Sequence, residues 1–117
     1  ARGAGSAAMF RRRCGALVWA VGVDLRLGAV ACATAALYMQ RFFLAEKEEA
    51  YDAPRVAMAC VWLATKVLDE PRRVRDIVNA VLCQAGAGAA VLPMEEYWAL
   101  RDDVVVHEQA VLRAMAF

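Results

Sequence analysis

Residues 53–71 read APRVAMACVWLATKVLDEP, and the fold follows from how little of that stretch can face water. Between positions 56 and 64 the only polar side-chain group is the indole N–H of Trp62. A helix that is apolar all the way round has no solvent face, so it belongs at the centre of a helical bundle. Its ends are also marked. Asp52 suits an N-cap, Pro54 is tolerated in the first turn, and Pro71 cannot continue a helix. The first charge to emerge is Lys66, a cation at the negative end of the helix dipole.

Outward from this rod the chain divides into further helices. Residues 1–7 read as a flexible lead. A first helix is expected over about 8–21, with Phe10, Leu17, Val18 and Val21 inward and Arg11, Arg12 and Arg13 as its basic end. Residues 23–28 read as a turn. A second helix follows over 29–44, where Val30, Ala33, Leu37, Tyr38 and Phe42 keep near-helical spacing. Residues 45–50 are a charged, solvated connection. After Pro71, Val74, Ile77, Val78, Val81 and Leu82 fall at i, i+3, i+4, i+7 and i+8, one face of a fourth helix. Residues 84–93 form a Gly/Ala linker, and a last helix reaches from Met94 to Met115 with Trp98, Arg101, Val105 and Leu112 along it. Trp19, Trp62 and Trp98 are expected to pack inward, as aromatics at helical spacing usually do. Five helices and no strand make an all-α fold.

The chain of 117 residues is one domain, long enough to bury a core without metals or disulfides. It is 62% hydrophobic and 23% charged, which argues against disorder. A net charge of +1 supplies no overall field for nucleic acid or an anionic membrane, so no direct nucleic-acid partner is expected. The longest uncharged run of the first half, 27–40, falls short of the roughly 20 residues that span a bilayer, so no membrane association is expected. Cys14, Cys32, Cys60 and Cys83 form no C-x-x-C pair. Thiols inside apolar runs suit a reducing compartment.

Catalytic patterns do not assemble. His107–Glu108 would need a second histidine at position 111 to make a zinc helix, and Val111 stands there. Gly86–Ala87–Gly88 follows no strand and precedes no Gly-Lys-Ser/Thr, so it cradles no phosphate. The adjacent acids Glu48–Glu49, Glu95–Glu96 and Asp102–Asp103 read as solvated charge. No enzyme activity, cofactor, metal or small-molecule substrate is expected. Arg72, Arg73 and Arg75 oppose the dipole at a helix start, and read either as solvated charge, with Arg75 paired to Asp76, or as a contact to an acidic partner. Glu108 stands beside Val104, Val111 and Leu112, where a carboxylate needs a partner, either at an interface or internally from Arg101. Lys66 on its own could be no more than a surface pair with Glu70 at i+4.

Four stretches in order carry a resemblance: LRLGAVACATAALYMQRFF (25–43), VAMACVWLATKV (56–67), PRRVRDIVNAV (71–81) and VVVHEQAVLRAMAF (104–117). Together they resemble a cyclin box, most closely the transcription- and splicing-associated branch typified by cyclin L. The resemblance implies a five-helix box over 8–117 with the third helix surrounded by the other four. It implies a nuclear regulatory subunit that forms a heterodimer with a cyclin-dependent kinase. It assigns Lys66 and Glu108 to kinase contact beside the kinase's movable C-helix, with Val67 and Leu112 on the same surface. The chain departs from the family at Leu68, where the usual K-x-E-E has its first acid. It departs again at Gly28, where cyclin L-like sequences often have proline. Such cyclins carry two boxes, so the chain is expected to be a first box, a fragment or a single-box relative.

Overall fold

The computed structural model describes residues 4–86 and 94–115. They form five α-helices: α1 (Ala4–Asp24), α2 (Ala29–Ala45), α3 (Ala53–Val67), α4 (Val74–Gln84) and α5 (Met94–Ala114), with a single 3-10 turn at Glu48–Ala50 between α2 and α3. No strand occurs among the described residues. Residues 87–93 of the expected linker and residues 1–3 of the expected lead lie outside them. Residues 4–7, also expected in the lead, are helical and open α1.

Helix α3 is the rod that its sequence dictates. From Val56 to Thr65 every residue except Trp62 is buried, and α3 packs against each of the other four helices. Asp52 caps it, accepting the Arg55 N–H at 3.3 Å. The Arg55 guanidinium then turns to Asp103 on α5, with Nε donating at 2.9 Å. The start of the central helix is thereby tied to the wall beside it.

Two helix ends close by the same device. At the end of α1, Leu27 N–H donates to Gly22 O at 2.9 Å and Arg26 N–H to Val23 O at 3.0 Å. At the end of α3, Glu70 N–H donates to Thr65 O at 2.9 Å and Asp69 N–H to Lys66 O at 3.3 Å. Both are Schellman closures, which need a left-handed residue just past the helix. Arg26 (φ 57°) and Asp69 (φ 55°) supply it where glycine is usual.

The two turns are then laced together. Arg72 donates from Nε to Leu25 O at 2.9 Å and from Nη2 to Arg26 O at 3.1 Å. Glu70 accepts the Gly28 N–H at 3.0 Å. Gly28, the N-cap residue of α2, has no side chain to cap with, so a carboxylate from the α3–α4 connection takes that place at the positive end of the helix. A proline at position 28 would have no N–H to give.

The packing sorts the apolar residues of α2 into two faces and corrects the inward assignments of Trp19 and Trp98. On α2 the buried residues are Ala31, Cys32, Ala35, Tyr38, Met39, Phe42 and Phe43. Val30, Ala33 and Leu37 face outward. Trp19 and Trp98, expected in the core, are both more than two-fifths exposed. Helix α4 meets expectation, with Ile77, Val78 and Val81 buried. Edge-on ring contacts then run from Phe10 on α1 to Phe43 on α2 (5.0 Å), and from Phe42 on α2 to Tyr51 (4.9 Å) and on to His107 on α5 (6.0 Å).

Candidate functional site

The last turn of α3 and the middle of α5 meet at one spot on the surface. There Lys66 Nζ forms an ion pair with Glu108 Oε2. Lys66 also stands over the indole of Trp62, one turn back, with Nζ 3.9 Å from the ring centroid. An ammonium over an indole face is attracted by the ring quadrupole, and the contact fixes where the flexible lysine points. Thr65 Oγ1 donates to Trp62 O at 2.6 Å, within the same turn.

The two partners have unequal environments. Glu108 is only 7% exposed, between the buried Val104 and Val111 on α5. Its Oε2 is shut off from solvent, so the ammonium is what compensates its charge. The Lys66 side chain remains 45% exposed. An ammonium has three donors, and one directed at Glu108 leaves others free for a further acceptor. Val67 beside it is exposed and Leu112, one turn along α5, is half-buried. The result is a fixed cation with apolar neighbours, suited to a partner that offers carbonyl or carboxylate oxygens next to apolar side chains.

The rival pairings do not form. Glu70 is turned toward Gly28, away from Lys66, and Arg101 lies over the Trp98 ring at 5.2 Å, with no ion pair to Glu108. Leu68 is the C-cap residue of α3 and packs against the core, half-buried. The arginines after Pro71 part company. Arg72 is engaged with main-chain carbonyls. Arg73, not Arg75, pairs with Asp76, Nε to Oδ2 at 3.3 Å. Arg75 lies over Tyr97 on α5 at 5.0 Å. Trp62 as the platform under Lys66 had no signal in the hydrophobic pattern. Only its i, i+4 spacing to the lysine pointed that way.

Among the described residues no helix is long and apolar enough to cross a membrane. Compared with known proteins, the chain matches the family "Cyclin, N-terminal domain" over residues 5–117. It is 40% identical over 100 residues to Cyclin pch1 of Schizosaccharomyces pombe, covering 83% of this chain and 29% of that protein. It is 34% identical over 106 residues to Cyclin-L1 of Gallus gallus, and 35% identical over 106 residues to Cyclin-L2 of Homo sapiens. Each of these two alignments covers 86% of this chain and 20% of the relative. The chain therefore spans less than a third of the length of these relatives.

Proposed function

The chain belongs to the cyclin family, and from that membership we propose that it is a regulatory subunit, without catalysis of its own, that binds and activates a cyclin-dependent kinase in the nucleus, in transcription or pre-mRNA processing. The observation that carries the reading is the convergence of Lys66 and Glu108 from separate helices into one preset surface element. Val67 and Leu112 complete the contact, and Arg73 and Arg75 are further candidates at its margin.

The chemistry asks for rigidity. Kinase turnover needs a lysine–glutamate pair and the metal-binding aspartate in register, and displacement of the kinase C-helix breaks that pair. A partner that binds the inward helix better than the outward one shifts the population by that difference in affinity. Moving an equilibrium from 1:99 to 99:1 takes roughly 10⁴-fold preference. A surface already held by an ion pair and an indole loses little freedom on binding, which leaves more of the contact energy for that preference.

The test is a charge swap, Lys66→Glu with Glu108→Lys. It preserves an internal ion pair while reversing what the surface offers, so loss of folding is a smaller risk than with either single change. Co-purification of the chain with a panel of cyclin-dependent kinases is expected to drop at least about tenfold in the swapped protein, with kinase stimulation lost in parallel. Equal capture by both proteins would remove Lys66 and Glu108 from the interface. Capture without stimulation would favour a second reading, a cyclin-fold binding module that does not activate kinase. That reading draws on Leu68, which packs inward where the family usually presents an acid.

A further inference from the structure

Helices α1 and α2 each have a second apolar face that no other described residue covers. On α1 the exposed residues Met9, Arg12, Ala16, Trp19 and Val23 recur at alternating spacings of three and four. On α2 the exposed Val30, Ala33, Leu37, Gln40 and Leu44 do the same. Among the described residues, Met9, Trp19, Val23, Val30, Leu37 and Leu44 are large hydrophobic side chains that stand exposed in these two lines, with Trp19 at 41%, Val30 at 66% and Leu37 at 49%. A three–four alternation is the heptad seam by which one helix accepts another. Between the two lines runs a shallow groove of about 400 Å³ lined by Trp19, Ala29, Val30, Ala33, Thr34 and Leu37. Small residues on the α2 side and larger ones beside them leave room for side chains from a helix laid along it.

Charge says what kind of helix. Residues 4–45 carry five arginines against a single carboxylate, Asp24, whereas residues 46–117 carry eight cations against twelve carboxylates. In the heptad frame of the two seams, Arg13 and Arg41 both take the position flanking the seam, where charge selects the partner. Arg12 lies in the seam itself. The antiparallel pairing that sets Phe10 against Phe43 and Gly22 against Cys32 brings these three arginines to one end of the hairpin, beyond the Leu37 end of the groove. Arg11 and Lys47 stand there with Glu46, Glu48 and Glu49, and the cations still outnumber the carboxylates. None of Arg12, Arg13 and Arg41 has an ion pair among the described residues. A second copy of this chain, seated symmetrically, would bring the same cations to the interface. A partner with carboxylates there would neutralise them.

We propose that the α1–α2 hairpin is a second docking face, separate from the Lys66–Glu108 surface, that takes an amphipathic helix of a protein partner, apolar along its seam and acidic beside Arg12, Arg13 and Arg41. The hairpin and this helix form a three-helix layer whose outer member the partner supplies.

The test uses synthetic helical peptides of about 16 residues, apolar at i, i+4, i+7 and i+11, with a cluster of glutamates at one end or of lysines at the same place. Binding to the chain is followed by amide chemical shifts and titration. The glutamate peptide is expected to bind at least about tenfold more tightly than the lysine peptide, and to shift resonances along α1 and α2 but not at Lys66. Leu37→Glu, at an exposed position, should weaken it at least about tenfold without changing the thermal melt. Arg13→Glu with Arg41→Glu should reverse the order of the two peptides. Equal binding of both peptides, or no binding of either by the folded wild type, overturns the proposal. So do two other results: phosphatidylserine vesicles that bind where the peptides do not, which points to a membrane, and a dimer in sedimentation that Leu37→Glu dissolves, which points to self-association.

Discussion

Lys66 is held from two sides, by an indole beneath and a carboxylate across, and its worth to the fold depends on the one buried partner. Removing the ammonium in Lys66→Met leaves the Glu108 carboxylate enclosed without a counter-charge, which costs about 1–3 kcal/mol because the lysine itself is half in water. Glu108→Gln removes the charge with little change in shape and should cost less. The double variant should be less unstable than the sum of the two, by about 0.5–2 kcal/mol of coupling in a urea-denaturation cycle. Strict additivity would mean that the pair does not form in solution. At this scale the sequence was partly legible. Asp52 as cap and Lys66 at the mouth of α3 follow from residue type and position. That Arg72 would fasten the α1–α2 turn was not legible, because a guanidinium reaching carbonyls across the fold leaves no mark on local spacing.

Among the elements, α1 and α2 depend most on a single absent side chain. Gly22 is buried in α1, and a Cβ built there would come far closer to the Cys32 sulfur on α2 than van der Waals contact allows. The sulfur is itself fixed, buried and directed at Leu27 O at 3.8 Å. Gly22→Ala should therefore lower stability by about 1–3 kcal/mol, read as a lower denaturation midpoint with an unchanged slope, although alanine is the better helix former in isolation. Gly22→Ala combined with Cys32→Ala should recover part of the loss. The register of α2 is where reading by pattern fails, for a physical reason. Val30, Ala33 and Leu37 make one apolar line, and Ala31, Ala35, Tyr38 and Phe42 make another. Periodicity cannot rank two such lines when both are apolar. The order is set by volume, since Tyr38, Met39 and Phe42 fill the space beside α3. Helix α4, with one apolar face and one polar, offered no such choice.

For the whole molecule, burial of thiols in the bundle gives a signature in alkaline solution. Cys14 is pushed up to about 11 from an ordinary value of 9.0, by burial first and by the nearby Glu48 charge second. Burial raises Cys60 as well. The unfolded chain loses these protons near pH 9 while the folded chain keeps them, so stability should fall as pH rises from about 9 to about 11. Thermal melts across that range should show the decline, and Cys14→Ala should make it shallower. At neutral pH a thiol reagent should modify the exposed Cys83 rapidly and the buried Cys14, Cys32 and Cys60 only on unfolding. The bundle around α3 was readable because α3 allows only one environment. The separation of charge between the hairpin and the rest was countable from residues alone, but it acquired meaning only once α1 and α2 were seen side by side with their outer faces bare.

The lacing of the two turns by Glu70 and Arg72 has a further consequence for how the molecule comes apart. Each turn stands on a left-handed residue that would ordinarily be a weak point, yet the N-terminus of α2 is stoppered by one connection and the exit of α1 is clasped by the same connection. Neither turn can fray by itself without leaving the other's carbonyls or amide unmatched. The α1–α2 hairpin and the α3–α4 corner therefore belong to one cooperative unit, and local breathing is pushed toward the far ends of α1 and α5.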